Sequence, residues 1–213
     1  MKKDFTKIVF ILDESGSMGY LRDDTIGGFN SMIEDQKTKP GTANVTTVLF
    51  NNEVSILHDN LPLSEVKPLT RKDYMPSGAT ALYDAVGGTI DVIGQELSAL
   101  SEDERPDKVI FVITTDGEEN SSRAFSKEMV RQRIEHQQSK YSWNFIFLGA
   151  NIDAETEGTS LGIKQGYSKS YTANKVCTDN LYTAISNTVT SVRSACNAAE
   201  IDTVVTANLS NVQ

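Results

Sequence analysis

Polar side chains follow directly on an apolar run near the amino terminus. The stretch KIVFILDESGSMGY, residues 7–20, ends its apolar run at Asp13 and then places hydroxyls at Ser15 and Ser17. Both hydroxyls can point at one cation, because they are two positions apart on a tight loop in which Gly16 permits the turn. Mg²⁺ takes about six oxygen ligands at roughly 2.1 Å and readily keeps waters. The stretch is therefore a candidate site for a divalent cation.

Two further polar stretches have comparable surroundings. TTDGEEN, residues 114–120, follows a second apolar run, and SGAT, residues 77–80, comes immediately before an amphipathic stretch. In an open parallel sheet, ligands bind beyond the carboxyl ends of the strands. We therefore expect these two stretches and the loop after Asp13 to converge on one edge of a sheet.

The elements that would position these stretches follow from the hydrophobic pattern. Short apolar runs predict buried strands at 8–12, 108–115 and 143–150, with a brief extended piece near 166–171. Two β-rich stretches with almost nothing between them predict a hairpin that turns near Asn51 and Asn52. Helical spacing of apolar residues predicts five helices: from residue 25 to the KPG at 39–41, and over 81–100, 124–138, 153–161 and 178–198.

Strands that alternate with helices through short links are typical of an open parallel sheet. The hairpin requires one strand to run against the others, at a sheet edge. The predicted fold class is therefore α/β: a Rossmann-like, doubly wound, mostly parallel sheet with one antiparallel edge strand and helices on both faces.

Composition limits the classes of function. The chain has 213 residues, of which 38% are hydrophobic and 23% charged, as in a soluble globular domain. Its net charge of −9, without any cluster of five Lys and Arg residues, argues against a nucleic-acid partner. No run approaches the ~18 apolar residues of a spanning helix. We expect a cytoplasmic protein with no membrane partner.

The cysteines and histidines give no sign of a second site. Cys177 and Cys196 lie ~28 Å apart if residues 178–198 form one helix, so they are expected to be ordinary reduced thiols. His58 and His136 have no other ligand at useful spacing, and we expect both at the surface or in loops.

The motifs together resemble one family. D-x-S-x-S after the first strand, a Thr that opens a middle helix after SGA, and T-x-D-G after a later strand resemble the von Willebrand factor A domain and its metal-ion-dependent adhesion site. The resemblance covers about residues 3–198 of a single domain, 1–213, and leaves 199–213 as a C-terminal tail. TIGGFNSMI, VTTVLFNNE and ATALYDAVG are similar to intracellular bacterial and phage members. The resemblance implies five metal-binding residues: Asp13, Ser15, Ser17, Thr80 and Asp116.

The resemblance also implies how such a site works. In the family pattern the serines and the threonine bind the ion directly, while the aspartates act largely through water. Mostly neutral ligands leave the ion short of negative charge, so a carboxylate from a partner protein can take an open position. The implied function is a non-enzymatic protein-binding module that depends on Mg²⁺ or Mn²⁺.

Further acids surround the motif: Glu14, Glu118, Glu119, Asp23 and Asp24. If they face the metal, the partner's carboxylate is expected to be flanked by Lys or Arg. Alternatively, a rim glutamate such as Glu14 or Glu118 fills the open position until it is displaced. A third interpretation is that these acids only face water.

Other interpretations of the same residues stay open. Taken singly, Ser15 and Thr80 are common helix caps, and Asp116 with Gly117 is an ordinary turn. Asp13 could be the nucleophile of a metal-dependent phosphohydrolase of the haloacid dehalogenase type, but that chemistry wants a second acid where this chain has Ser15. The domain could also self-associate, with a neighbouring copy supplying the carboxylate. No P-loop or G-x-S-x-G motif occurs.

Overall fold

The computed structural model describes residues 1–212 and contains one six-stranded sheet with the strand order β3-β2-β1-β4-β5-β6. Neighbouring strands are parallel except for β2 and β3, which form the antiparallel hairpin at one edge. The predicted fold class is confirmed. The strands are β1 Lys2–Asp13, β2 Thr42–Phe50, β3 Val54–Pro62, β4 Pro106–Thr115, β5 Asn144–Ala150 and β6 Ser168–Tyr171.

Helices cover both faces of the sheet. Successive side chains of a strand point to opposite faces, and the five consecutive residues Ile8 to Leu12 are each 1% exposed or less. One face carries α1 against α5, and α2 packs on α3. The helices are α1 Arg22–Lys37, α2 Leu82–Ala99, α3 Lys127–Tyr141, α4 Ala154–Ser160, α5 Lys175–Ser194 and α6 Ala198–Leu209. None of the helices in residues 1–212 is long and apolar enough to span a membrane.

The start of α3 differs from the predicted start at residue 124. The helix begins at Lys127, where the Ser126 hydroxyl accepts a hydrogen bond from the Met129 N–H at 3.3 Å. The preceding N–H groups of residues 123–125 instead donate to the Asp84 carboxylate. A serine cap and a distant acid therefore fix this boundary.

The expectation of a tail beyond residue 198 is wrong. The chain leaves α5 at Ala195 in extended conformation, and Asn197 caps α6 by accepting the Glu200 N–H at 3.0 Å. Three apolar residues at helical spacing, Ile201, Val205 and Leu209, are buried. The helix predicted for residues 178–198 is α5, Lys175–Ser194, and the expected tail forms a further helix, α6, whose apolar residues join the core.

The prediction for His58 is also wrong. This residue lies on β3 with 6% of its surface exposed. Its Nδ1 is 3.1 Å from the Thr47 hydroxyl, and its ring is stacked on Phe29 at 6.3 Å between centroids. Burial lowers the pKa of His58, and the ring packs between β3 and α1. His136 is exposed, as predicted, and both cysteines are free thiols.

Candidate metal site

The five residues implied by the resemblance lie together beside the carboxyl ends of two adjacent strands. Asp13 is the last residue of β1, and Asp116 directly follows β4, which pairs with β1 up to Leu12 and Thr114. The remaining three are Ser15 and Ser17 in the loop after β1, and Thr80 two residues before α2. The fold therefore brings together all five, which come from three separate stretches of the chain.

The hydroxyls and one carboxylate face each other across a short gap. Ser15 Oγ and Ser17 Oγ are 3.0 Å apart, and the Ser17 hydroxyl donates to Asp116 Oδ1 at 2.6 Å. A methyl group built at Gly117 would lie 3.2 Å from Thr80 Oγ1 and 3.8 Å from Ser17 Oγ. Gly117 thus leaves open the space that these hydroxyls face.

Asp13 lies behind the hydroxyls, completely buried. Its Oδ1 accepts the Ser15 N–H at 2.7 Å and its Oδ2 accepts the Thr115 hydroxyl at 2.5 Å. Burial raises the pKa of Asp13, and these hydrogen bonds partly offset the rise. The carboxylate is placed to fix the Ser15 backbone and to supply negative charge.

The two aspartates have no basic partner. Burial also raises the pKa of Asp116, and the Ser17 hydroxyl opposes that rise. No Lys or Arg of residues 1–212 forms an ion pair with Asp13 or Asp116. Because a buried carboxylate is costly without a compensating charge, the pair favours binding of a cation.

The donor set fits a hard divalent cation. All five side chains offer oxygen, which Mg²⁺ and Mn²⁺ prefer. In an octahedron with bonds of about 2.1 Å, adjacent oxygens lie about 3.0 Å apart, and the Ser15 and Ser17 hydroxyls have this spacing. Residues 1–212 contain no group of three or more His, Cys, Asp or Glu side chains that could hold a metal. A site here must therefore rely on the hydroxyls.

Main-chain hydrogen bonds hold the site loops in register. They join the loop after β1 to the β2 end and to the stretch before α2, which in turn is joined to the β2–β3 turn. The bonds are Glu14 N–H to Phe50 O (2.6 Å), Ser77 N–H to Glu14 O (2.9 Å), Gly16 N–H to Gly78 O (3.1 Å) and Ala81 N–H to Asn51 O (2.7 Å). Gly78 has φ +73°, and a side chain there would meet Asn52 Oδ1 at 2.1 Å.

Three residues that support the site were not singled out from the sequence. Thr115 bonds Asp13, and the Tyr74 hydroxyl donates to the Asp13 carbonyl oxygen. Asn120 accepts the Thr80 N–H at 2.9 Å and returns its own N–H to the Thr80 carbonyl at 3.0 Å. Thr115 and Asn120 lie within TTDGEEN and could have been considered, whereas Tyr74 lies outside the motifs.

Most of the surrounding acids are occupied elsewhere. Glu119 accepts the N–H groups of Tyr83, Ser121 and Ser122 and the Ser122 hydroxyl, at 2.7 to 2.9 Å. Glu14 accepts the Met75 N–H, Asp23 pairs with Arg71, and Asp24 lies 3.6 Å from Lys175. Glu118 is exposed, and no hydrogen bond or ion pair to its carboxylate is found within residues 1–212. The structure therefore gives Glu14 and Glu119 roles in holding loops.

A cavity lies at the other end of the sheet from the candidate ligands. It has a volume of about 870 Å³ and is lined by α2, the start of β4, the end of α3 and the segment between α5 and α6. None of the five residues lines it. The candidate metal site therefore lies outside this cavity.

Comparisons with known proteins relate this architecture to solved structures. The sequence matches no family model and no curated protein. Von Willebrand factor type A from Catenulispora acidiphila superposes with a TM-score of 0.58 at 14% identity, over 89% of this chain and 43% of that chain. Proximal thread matrix protein 1 from the mussel byssus, with a zinc-occupied MIDAS motif, gives 0.60 at 12%, over 87% and 48%.

A third structure, manganese-loaded Plasmodium vivax TRAP protein, gives a TM-score of 0.56 at 16% identity, over 83% of this chain and 72% of that chain. The chain spans less than half the length of the first two structures. At these identities the likeness concerns the fold. The chain therefore has the Rossmann-like α/β fold of the von Willebrand factor A domains, with its five candidate ligands at the carboxyl edge of the sheet.

Proposed function

We propose that the chain is a non-enzymatic protein-binding module that depends on a divalent cation. The observation that carries this proposal is the convergence of three hydroxyls and Asp116 on one open space, with Asp13 behind them. Ser15, Ser17 and Thr80 would hold Mg²⁺ or Mn²⁺, and the two aspartates would balance its charge. The zinc and manganese named for two structural neighbours support this assignment.

The partner follows from the charges of the ligands. Three ligands are neutral hydroxyls, and both Asp13 oxygens already accept hydrogen bonds from Ser15 and Thr115. A bound cation with so few anionic ligands acts as a Lewis acid toward one more oxygen donor. The partner is therefore a protein that presents an acidic side chain to the surface.

The surroundings of Asp13 favour binding over phosphoryl transfer. A nucleophilic carboxylate must reach its substrate, whereas Asp13 is 0% exposed and both of its oxygens are hydrogen-bonded. The residue two positions on is Ser15, which cannot act as the general acid and base. Since both cysteines are free thiols, we also propose a reducing compartment, the cytoplasm.

Calorimetric titration of Mg²⁺ and Mn²⁺ into metal-stripped protein tests the site. We expect wild type to bind one ion and a Ser15→Ala/Ser17→Ala variant to lose binding. Ser139→Ala is the matched control, because its hydroxyl is exposed on α3 and bonds only carbonyls of that helix. Equal binding by the double variant and wild type would contradict the site.

Sedimentation with and without chelator tests the origin of the carboxylate. A monomer under both conditions supports a foreign partner. A dimer that forms only with the cation would instead indicate that a second copy supplies the acid.

A further inference from the structure

Large apolar side chains are exposed beside the candidate metal site. Tyr20 is 60% exposed and Met75 is 58% exposed. Tyr20 lies in the short helical turn Gly16–Leu21 that contains Ser17, and Met75 lies in the stretch that leads to Thr80. Exposed aromatic and methionine side chains are enriched at protein interfaces.

The two side chains belong to opposite sides of the site. The Met75 N–H donates to Glu14, whose own N–H donates to Phe50 at the end of β2. The Tyr20 hydroxyl accepts from the Asn151 amide at 3.3 Å, directly after β5. Because β1 and β4 lie between β2 and β5, the strand ends that carry the candidate ligands lie between these two apolar residues.

Few of the carboxylates around the site are free to form a direct ion pair with a basic partner residue. The carboxylates of Glu14 and Glu119 accept backbone N–H groups, and Asp23 is paired with Arg71. Among the acids beside the motif, Glu118 is the exposed residue without such a contact in residues 1–212. Glu118 therefore offers one exposed ion pair to a Lys or Arg beside the partner's acid, and exposed ion pairs contribute little to binding.

We propose that the partner presents its acidic residue between large apolar side chains, which pack on Tyr20 and Met75. This inference rests on the proposed function, since the acid is positioned by the cation. Tyrosine offers a rigid ring with a polar end, and methionine offers a flexible apolar surface. Together they select the residues that flank the acid in an extended segment of the partner.

Selection from a displayed peptide library tests the inference. The library holds a central Asp or Glu between three random residues on each side, is bound to the immobilised full chain in Mn²⁺, and is eluted with EDTA. We expect the wild-type pool to be enriched in large apolar residues next to the acid. Binding of a selected peptide should fall roughly tenfold in Tyr20→Ser/Met75→Ser, as for loss of an interface hot spot.

The matched control is Tyr141→Ser/Met129→Ser, which removes two exposed side chains of the same types from α3. This variant should select the same pool as wild type. Titration with Mn²⁺ confirms that the Tyr20→Ser/Met75→Ser variant is folded and keeps the site, and Met75→Ser alone serves if the double variant does not fold.

The possible outcomes distinguish a failure of this inference from a failure of the proposed function. EDTA-eluted peptides with Lys or Arg beside the acid, or an unchanged apolar preference in Tyr20→Ser/Met75→Ser, would contradict the inference and leave the function in place. If wild type yields no peptide that EDTA releases, the proposed function fails and the inference fails with it.

Discussion

Asp84 in the first turn of α2 and Asp116 directly after β4 are both acids of loop-bonding elements, but their carboxylates have different partners. Asp84 accepts the backbone N–H groups of Arg123, Ala124 and Phe125 at 2.8 to 2.9 Å. Asp116 accepts one hydroxyl, from Ser17. The Asp84 carboxylate is occupied by hydrogen bonds to the chain between β4 and α3, whereas the Asp116 carboxylate can still accept a further bond or a cation. An acid whose carboxylate accepts several backbone N–H groups holds a loop in place, whereas an acid with few such donors can still bind a cation. The neighbouring residues in the sequence do not make this distinction.

The same comparison separates Glu119 from Asp13. Glu119 accepts four donors around the start of α2, so it resembles Asp84. Asp13 is intermediate, because one oxygen accepts a backbone N–H and the other a hydroxyl. The site thus has one acid toward the open space and one behind it.

The largest expected effect concerns Asp116, the candidate ligand of the two aspartates. Asp116→Asn should lower the affinity for Mn²⁺ about 100-fold, because it removes a negative charge from the ligand set. The free energy of unfolding of the metal-free protein should change little, since the half-buried carboxylate has no basic partner. Calorimetric titration and urea unfolding measure the two quantities. Unchanged affinity would mean that Asp116 is no ligand.

A second variant should lower the stability of the protein and leave its affinity for Mn²⁺ unchanged. Asp84→Ala removes the acceptor of three N–H groups. A bond to a charged group contributes about 1.5 to 3 kcal/mol, but two of these three bonds are exposed to solvent, where water can replace the carboxylate. We therefore expect the free energy of unfolding to fall by roughly 2 kcal/mol. The folded fraction should bind Mn²⁺ with an affinity close to wild type. If stability stayed the same and affinity fell, the contrast between the two aspartates would be wrong.

The smallest effect is expected at Glu118. Glu118→Gln changes an exposed side chain, so stability should stay within about 0.5 kcal/mol of wild type. The affinity for Mn²⁺ should be unchanged as well, because the contacts place no Glu118 oxygen at the hydroxyls. A clear change in affinity by calorimetry would revive the hypothesis that a rim glutamate fills the open position.

Much of the fold was predictable because its signals are local. Continuous apolar runs marked β1, β4 and β5, and the near-absence of residues between two β-rich stretches marked the hairpin. The rule that ligands gather beyond strand ends brought Asp13, Thr80 and Asp116 to one edge. The structure places them together, and their role in holding a metal stays a prediction.

The remaining features depend on contacts between distant parts of the chain. Asp84 bonds residues about 40 positions away, and no local pattern announces such a partner. His58 is buried because Phe29 covers its ring. The helix α6 did have a local signal, the Asn197 cap followed by apolar residues four positions apart, but the resemblance used to assign this segment ended at residue 198.

The hydrogen bonds between the site loops have a consequence for mutational tolerance. Because they run from main chain to main chain, most side chains of residues 75–79 can be exchanged without moving the five candidate ligands. Gly78 is an exception, since its positive φ and the nearby Asn52 leave no room for a side chain. A saturation scan of residues 75–80 should therefore show a permissive segment in which Gly78 and Thr80 resist exchange, the first for its backbone and the second for its hydroxyl.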